Sequence, residues 1–378
     1  MKRFLKTLII VSLVVLCFVG CSKTEQTDQK TNTKEKVETK KKEEPKGFVA
    51  LLTDFGNIDD KSFNEASWNA IVDFTKKHEY SKDFFRSVVH DDADARLKAV
   101  DKAIEAGADV LICPGFTFAS TVYEKQTQYP DVHFLLIDTE PADASGNVKS
   151  EKNTYSIIYK EEQVGYMAGY AAVMEGYRKL GFLGGMDIGP VKAFGYGYVQ
   201  GAEAAAVALK LPKESVQILY KYAGGFTATE AIQKDMTAWY EAGTEVIFSC
   251  GGGILESVIK AAEIDPKRKI IGVDVDQASE SENIIFSAMK GVTNSVSLAL
   301  DGYVNNNKQW LEECAGKTVS LGIENDCVGL SATEGSWRMN NYTVEDYNKL
   351  YASMKASLPT ISRDTLPTLV GVKVTVQK

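Results

Sequence analysis

Histidine is scarce in this sequence: its 378 residues include only His78, His90 and His133. The chain has no HExxH and no CxxC segment, so the usual spacings of a zinc site are missing and no metal site is expected. It also lacks GxSxG and any Cys/His pair at the spacing of a known nucleophile and base. No GxGxxG follows the first apolar run, which argues against NAD or FAD. The sequence therefore favours binding over catalysis, with no catalytic residue and no cofactor.

Basic residues are outnumbered, with 43 Lys and Arg against 51 Asp and Glu and a formal net charge of −8 at pH 7. Proteins that bind nucleic-acid polymers do so largely through cationic contacts to phosphates. An acidic chain is therefore not expected to bind such a polymer. A neutral small molecule remains compatible with this charge.

The hydrophobic run at the start, Leu8–Val19, is too short to span a bilayer. Basic residues precede it, and it ends in Phe18-Val19-Gly20-Cys21, which resembles a bacterial lipobox. Residues 1–20 are therefore predicted to be a lipoprotein signal peptide and Cys21 the lipidated residue. The alternative is an uncleaved anchor in which Cys21 is a plain cysteine. Either interpretation places the protein at the cell membrane, on the extracytoplasmic face.

Residues 21–46 consist of Cys21 and a polar stretch that follows it. This stretch contains eight Lys and six acidic residues, with Val37 as its one clearly apolar residue. It cannot bury enough apolar surface to offset chain entropy, so we expect a disordered tether rich in Lys, Glu and Thr. A solvated spacer is favoured over lysines that bind anionic lipid or wall polymer.

The four cysteines that follow Cys21 in the sequence are interpreted as two groups. Cys113 and Cys250 end apolar strand-like runs and are expected to be buried thiols. Cys314 and Cys327 could form a disulfide in an exported protein, but their spacing carries no specific signature.

From Gly47 onward, short apolar runs alternate with helical patterns, which is typical of a parallel sheet covered on both faces. The predicted strands are Phe48–Leu52, Phe85–Val89, Val110–Cys113, His133–Ile137, Lys179–Leu183, Val216–Tyr220, Val246–Cys250 and Ile270–Val273. The predicted helices are Ser62–Lys77, Ala93–Ala106, Phe118–Tyr129, Glu162–Met174, Gly195–Leu209, Thr227–Ala242, Ile254–Ile264 and Ile284–Asn305.

Eight such units exceed what one doubly wound sheet usually holds, so we expect an α/β protein of two lobes, each a doubly wound, mostly parallel sheet. A TIM barrel is the alternative. A long polar stretch after Asp138 suits a crossover between lobes, and a hairpin near Asp326–Met339 departs from the regular alternation. The predicted boundaries are 47–155 plus about 282–325 for the first lobe, and about 156–281 plus 326–378 for the second.

The segment Thr53–Trp68 follows the first strand and begins the first helix, where open α/β sheets bind small ligands. It combines an aromatic ring, Phe63, with the polar side chains of Asp54 and Asn64. Such a set suits a ligand with a flat ring and several hydroxyls, and that combination describes a nucleoside. The Asp59-Asp60 pair could instead cap the helix, and Phe63 could belong to the core.

Other strand ends hold further candidates. Asp138 and Asp274 each terminate a strongly apolar strand, where a carboxylate is costly unless it is paired or used, so function is favoured for both. Gly251-Gly252-Gly253 lacks a P-loop lysine and is interpreted as a close approach of backbone to ligand. The remaining candidates are Phe194, Phe226 and Lys290, the last on the predicted final helix.

Taken together, these motifs resemble the basic membrane protein family of bacterial lipoproteins. The resemblance runs from about Phe48 to the C-terminus and is most specific at Thr53-Asp54 with Asp59–Asn64, Gly184–Met186 with Phe194–Gly197 and Gly201, and Gly272–Gln277. It implies a type I periplasmic-binding fold with a ligand cleft between the lobes. The best understood members are purine nucleoside receptors of ABC transporters.

The resemblance also implies roles for individual residues. Asp54 and Asn64 would contact the ligand, and Phe63 would stack on one face of a purine. Asp138 would bond the base edge, while Asp274 and Lys290 would bind ribose hydroxyls. The opposite face of the base would be closed by Phe194, with Phe226 as its rival and Gly252 nearby.

The function implied is capture of a nucleoside by lobe closure and delivery to an ABC permease, by a monomer anchored to the membrane through lipid. Two alternatives stay open: the same fold binding a sugar or signalling molecule, and a surface adhesin in which the cleft is vestigial. An enzyme is a weaker third alternative. A transcription regulator is excluded by the export signal and the lack of a helix-turn-helix segment.

Overall fold

Short parallel strands of buried apolar residues build the fold. The computed structural model describes residues 44–53, 56–87 and 92–377, and residues from Pro45 onward form one compact unit. The predicted signal peptide, Cys21, most of the tether and the candidate Asp54 lie outside the described residues.

The strands are β1 (Phe48–Thr53), β2 (Ser81–Arg86), β3 (Val110–Pro114), β4 (His133–Ile137), β5 (Thr154–Tyr159), β6 (Lys179–Gly184), β7 (Val216–Tyr222), β8 (Val246–Cys250), β9 (Lys269–Asp274), β10 (Ile284–Lys290), β11 (Lys317–Leu321), β12 (Val328–Leu330) and β13 (Val372–Val376). The helices are α1 (Phe63–His78), α2 (Ala93–Glu105), α3 (Ala119–Gln128), α4 (Glu161–Glu175), α5 (Gly189–Ala208), α6 (Glu230–Glu241), α7 (Leu255–Ala262), α8 (Val292–Asn305) and α9 (Val344–Ala356).

These strands form two separate sheets. The first has the order β11-β5-β4-β3-β1-β2 and is parallel throughout. The second has the order β12-β10-β9-β8-β6-β7-β13, in which β12 alone runs antiparallel to its neighbour. The two predicted α/β lobes are confirmed, and two open sheets rule out a TIM barrel.

Successive residues of one strand enter different cores. In β1, Val49 and Leu51 pack into one core, whereas Ala50 and Leu52 pack into another on the opposite face of the sheet. Side chains alternate across a strand, so a strand covered on both faces must be apolar at every position. This explains why the central strands, such as β1, β3 and β4, read as nearly unbroken hydrophobic runs in the sequence.

The chain passes between the lobes at three places: after β5, after β10, and between β11 and β12. These crossings are hydrogen-bonded to one another, because Lys160 N donates to Leu321 O at 2.9 Å and Gly291 N donates to Cys327 O at 2.7 Å. Helix α8, which follows β10, packs into the core of the first lobe, whereas α4, which follows β5, packs into the second.

The predicted helix Ile284–Asn305 is wrong. Residues Ile284–Lys290 form β10 of the second sheet, and the helix begins only at Val292. A short buried strand and a buried helix segment both read as continuous apolar runs, so periodicity could not separate them. Lys290 is therefore the last residue of a strand, beside a crossing.

The predicted lobe boundaries change for the same reason. Strand β5 extends the first sheet to Tyr159, beyond the predicted limit at 155, and β10 assigns residues 284–290 to the second sheet instead of the first. In place of the predicted hairpin near Asp326–Met339, Val328–Leu330 pairs antiparallel with β10.

All four cysteines in the described residues are free thiols, so Cys314 and Cys327 are not joined. Cys113 and Cys250 are buried, as predicted. Within the described part of the chain, no helix combines the length and apolar character needed to cross a membrane.

Helices α4 and α5 of the second lobe pack backbone against backbone. A Cβ placed on Gly169 would lie 1.9 Å from the carbonyl oxygen of Tyr198, and one on Gly201 would lie 1.9 Å from that of Tyr166. Each contact requires a residue without a side chain, so this pair of helices depends on glycine at both positions.

We predict that Gly169→Ala lowers the free energy of unfolding by about 1–3 kcal/mol, because the helices must move apart to admit one methyl group. Urea denaturation followed by circular dichroism measures this change. Gly189→Ala, at the start of α5, is the matched control, since a Cβ there meets nothing within 4 Å. If both variants lost the same free energy of unfolding, the contact between the backbones of α4 and α5 would not explain the effect of Gly169→Ala.

Candidate functional site

A cavity of about 490 Å³ lies between the lobes, at the carboxyl ends of strands from both sheets. All eight described residues that were predicted to contact ligand line it: Phe63, Asn64, Asp138, Phe194, Phe226, Gly252, Asp274 and Lys290. The ninth, Asp54, lies outside the described residues. Strand ends of two parallel sheets therefore bring together side chains up to 227 positions apart in the chain.

Lys290 lies at the centre of the charged part of this cavity. Its Nζ donates to Asp138 Oδ2 at 2.5 Å and lies 3.6 Å from Asp274 Oδ1. A third carboxylate, that of Glu161, lies 3.9 Å from the same Nζ. The side chains of all four residues are at most 10% exposed, so the cluster is shielded from bulk water.

The two aspartates occupy equivalent positions in the two lobes. Asp138 follows β4 with φ 66°, and Asp274 ends β9 with φ 65°, so both adopt the left-handed conformation that is uncommon outside glycine. This conformation turns the chain sharply at the strand end. Backbone strain of this kind is concentrated at ligand sites, where the surrounding structure holds it in place.

Two buried oxygen atoms in this cavity have no hydrogen-bond partner among the residues that the structure describes. They are Asp138 Oδ1 and Asn64 Oδ1. The other polar atoms of these side chains are engaged, because Asp138 Oδ2 accepts from Lys290 and Asn64 Nδ2 donates to Asp60 Oδ2 at 2.9 Å. A buried acceptor without a donor is costly, so both atoms are positions where a ligand can donate.

The charges around Lys290 govern its ionisation. Burial by itself lowers the pKa of Lys290, but the neighbouring carboxylates of Asp138, Asp274 and Glu161 outweigh it and raise that pKa. Burial raises the pKa of Asp138 against the opposing charge of Lys290. Burial, and then the charge of Asp138, raise the pKa of Glu161 well above its usual range. The ammonium group is therefore held in its charged form.

Aromatic rings surround the same ammonium group. Lys290 Nζ lies 4.6 Å from the ring centroid of Phe63 and 5.7 Å from that of Phe194. Phe63 is half-buried and comes from the first lobe, whereas Phe194 is buried and comes from the second. Phe226, also half-buried, packs directly over Gly185. Phe63 therefore lines the cavity and is not enclosed in the core.

The start of α1 is held by Asp60. Its carboxylate accepts from the backbone nitrogens of Ser62 at 3.0 Å, Asn64 at 3.1 Å and Glu65 at 3.0 Å. The capping role considered for this residue is confirmed, and it fixes Phe63 and Asn64 at the cavity wall. Acceptors at a helix N-terminus satisfy donors that the helix itself leaves unpaired.

Gly252 has φ 48°, in the left-handed region, and a Cβ placed on it would meet nothing within 4 Å. Glycine is needed at this position for backbone conformation. The neighbouring Gly251 is constrained by space, because its Cβ would lie 3.0 Å from Gly185. The glycine run therefore brings backbone to the cavity wall.

Sequence reasoning missed two contacts of the cluster. Ser62 Oγ donates to Asp274 Oδ2 at 2.6 Å and so links the first lobe to the second. Glu161 was missed because β5, the strand before it, was not predicted. The available signal was the acidic pair Glu161-Glu162, one residue after the strand-like run Thr154–Tyr159.

A further cross-lobe hydrogen bond lies beside the cavity, where Gln277 Nε2 donates to Lys61 O at 2.9 Å. With the contacts of Ser62 and Lys290, it holds the two lobes together around the cavity. Among the described residues, no group of His, Cys, Asp and Glu is arranged to hold a metal ion.

The chain matches the family described as "ABC transporter substrate-binding protein PnrA-like" over residues 48–361. It is 29% identical over 345 residues to basic membrane protein D of Borreliella burgdorferi (strain JD1), which covers 89% of each chain. It is 27% identical over 286 residues to basic membrane protein B of Borreliella burgdorferi (strain ATCC 35210 / DSM 4680 / CIP 102532 / B31), covering 75% of this chain and 80% of the relative.

Solved structures agree on the fold. The solute-binding protein of an ABC transporter system from Aeropyrum pernix K1 superposes with a TM-score of 0.65 at 22% identity, covering 84% of this chain and 87% of that one. A dimeric Lac repressor superposes with a TM-score of 0.52 at 12% identity, covering 78% and 100%. Both share the type I periplasmic-binding fold. The chain therefore belongs to the Bmp family of PnrA-like ABC transporter substrate-binding proteins, which bind a solute outside the cytoplasm and are not enzymes.

Proposed function

We propose that the solute is a nucleoside, most favourably a purine nucleoside, and that Cys21 anchors the protein to the extracytoplasmic face of the membrane through lipid. The observation that carries the proposal for the ligand is Asp138 Oδ1, which is buried, has no hydrogen-bond partner among the described residues and lines the same cavity as the ring of Phe63. A purine offers the donors that such an acceptor requires and a flat face for the ring. A volume of about 490 Å³ is within the range of small-molecule pockets.

The base stacks on Phe63 from the first lobe, and the second lobe supplies a ring for the other face. Phe194 approaches Lys290, whereas Phe226 is the more exposed of the two candidates. Stacking on an aromatic side chain contributes about 1–3 kcal/mol per base. Asn64 Oδ1 and Asp138 Oδ1 accept hydrogens from the base edge, since both are buried and neither has a partner among the described residues.

The ribose lies against the charged cluster. Asp274 accepts from a sugar hydroxyl, and Lys290 donates to one while keeping its contact with Asp138. Backbone at Gly252 closes the wall without a side chain. A simple sugar would satisfy these hydroxyl contacts and could donate to the same acceptors, but it lacks the planar base that stacks on Phe63, which favours the nucleoside.

Ligand capture requires the lobes to separate and close again about the three crossings. Closure remakes the contacts of Ser62 with Asp274 and of Lys290 with Asp138, which seal the cavity from water. The closed form then docks on an ABC permease, which the proposed tether keeps within reach. Asp54, predicted to contact ligand, belongs to the same proposal.

We predict that the full chain in detergent, unfolded and refolded to remove carried ligand, binds a purine nucleoside with sub-micromolar Kd in calorimetric titration. Phe63→Ala should weaken binding by about 5- to 100-fold, because the stacking contact is lost. Phe84→Ala, which removes an exposed ring of β2, is the matched control and should leave the Kd unchanged. The proposal is rejected if adenosine, guanosine and inosine all fail to bind the well-folded protein while ribose or glucose gives a heat of binding.

A second prediction concerns the sugar. A 2′-deoxy or 3′-deoxy analogue of the preferred nucleoside should bind about 10- to 100-fold more weakly, because Asp274 and Lys290 would be left with a buried, unfilled hydrogen bond. Competition titration against the parent nucleoside measures the ratio. Asp274→Asn should reduce this discrimination, and equal affinities for parent and deoxy analogues would exclude hydroxyl recognition by this cluster.

The cavity itself depends on the charge of Lys290. Lys290→Met leaves Asp138, Asp274 and Glu161 without their shared cation, so we expect the free energy of unfolding to fall by about 3–5 kcal/mol at pH 8. Burial raises the pKa of Asp138 and Glu161, so the folded variant takes up protons more readily than the unfolded chain, and its stability should recover as the pH falls toward 5. Urea denaturation of wild type and variant at pH 8 and pH 5 measures the difference in their free energies of unfolding.

The exposed Lys373 of β13 supplies the control for this experiment. Lys373→Met removes the same charge from the surface and should shift stability by less than about 0.5 kcal/mol at either pH. A pH-independent loss in Lys290→Met would show that lost packing, and not unpaired carboxylates, destabilises the variant.

A further inference from the structure

The segment between α9 and β13, residues 357–371, has no regular helix or strand and runs past the second lobe. It is held at Ser362 by two reciprocal hydrogen bonds with α5. Gln200 Nε2 donates to Ser362 O at 2.7 Å, and Ser362 N donates to Gln200 Oε1 at 2.9 Å. This pairing fixes the backbone directly before Arg363.

Arg363 reaches from this segment to the start of α4. Its Nη2 lies 3.3 Å from Glu161 Oε2, and its Nη1 lies 4.0 Å from Glu162 Oε2. The Arg363 side chain is 34% exposed and does not line the ligand cavity, whereas the Glu161 side chain is 1% exposed. The family match ends at residue 361, so Arg363 lies beyond the matched region.

The two oxygens of Glu161 contact two different cations. Oε2 faces Arg363, and Oε1 lies 3.9 Å from Lys290 Nζ. A series of ionic contacts thus links Arg363 of the C-terminal segment to Glu161 and then to Lys290. Lys290 in turn contacts Asp138 and Asp274 at the cavity. Glu161 also lies directly after the first crossing and Lys290 directly before the second, so their contact joins two of the crossings about which the lobes move.

We propose that Arg363 is a positioning residue for ligand binding, which holds the Glu161 carboxylate against Lys290 and thereby fixes the ammonium group between Asp138 and Asp274. The inference rests on the proposed function for its ligand. Its structural part, the coupling of Arg363 to Glu161, does not depend on which ligand binds.

The electrostatic setting gives this coupling a pH signature. Glu161 is faced by Asp138 after β4, Lys290 of β10, Cys250 of β8 and Arg363 of the C-terminal segment. Burial and Asp138 raise the pKa of Glu161, whereas Lys290 and Arg363 lower it. Without Arg363 the carboxylate should retain its proton to higher pH, and its forced ionisation above that pH should destabilise the fold.

The first experiment needs no ligand. Thermal unfolding of the full chain in detergent is measured from pH 5 to pH 8 for wild type, Arg363→Gln, Glu161→Gln and the double variant. The midpoint difference between wild type and Arg363→Gln should widen as the pH rises. On the Glu161→Gln background, the same change should have a smaller effect that varies less with pH, with the remainder coming from the contact of Arg363 with Glu162. Equal, pH-independent effects on both backgrounds would overturn the proposal.

The second experiment uses whichever of adenosine and guanosine binds wild type more tightly. Arg363→Gln should weaken the Kd about 3- to 30-fold at pH 7.5, as substitutions that touch no ligand do when they are coupled to a site. The acid limb of the Kd profile should move to higher pH, because tight binding requires Glu161 as a carboxylate. On the Glu161→Gln background, Arg363→Gln should change the Kd less than about twofold.

Two further variants complete the design. Arg363→Lys keeps the charge and should recover part of the affinity, and it remains informative if the glutamine variant folds poorly. Lys373→Gln removes a cation from the nearby β13 without touching Glu161 and should leave the Kd unchanged. An unchanged Kd in Arg363→Gln would overturn the positioning role. Absence of nucleoside binding by wild type would reject the proposed function, while the thermal experiment would still decide the coupling.

Discussion

The ammonium group of Lys290 is the interaction on which the arrangement of the cavity depends. It neutralises carboxylates that come from the end of β4, the end of β9 and the start of α4. Buried carboxylates without a cation are strongly unfavourable, so these chain ends can converge only because the lysine lies among them. Since β4 belongs to the first sheet and β9 to the second, the same ion pair also joins the lobes.

This dependence explains why the cavity and the crossings between the lobes are not separate structures. Lys290 precedes one crossing between the lobes and Glu161 follows another, so a change in lobe position must change the electrostatic environment of the cavity. The cross-lobe bond from Ser62 to Asp274 adds a second contact of the same kind. In the proposed mechanism, closure and recognition therefore depend on one set of charges, and the contact of Arg363 with Glu161 extends that set to the C-terminal segment.

Much of the site could be predicted because its residues follow apolar strands. Asp138 and Asp274 are conspicuous in the sequence, since a carboxylate at the end of an apolar strand is costly unless it is paired. Phe63 is conspicuous because it lies between the polar residues Ser62 and Asn64 at the start of the first helix. Lys290 was placed correctly in the cavity on a resemblance, but on the wrong element. Glu161 and Arg363 were not predicted together, because their contact joins residues that are 202 positions apart in the chain.

By itself, the sequence determined the alternation of strands and helices and the polar residues at the strand ends, because both follow from local hydrophobic periodicity. Only the tertiary structure decided that residues 284–290 form a strand, since a buried strand and a buried helix have the same composition and differ in their neighbours. It also decided which carboxylates share Lys290. The packing of the two sheets determines these partners, because it brings residues that are far apart in the chain together at one edge.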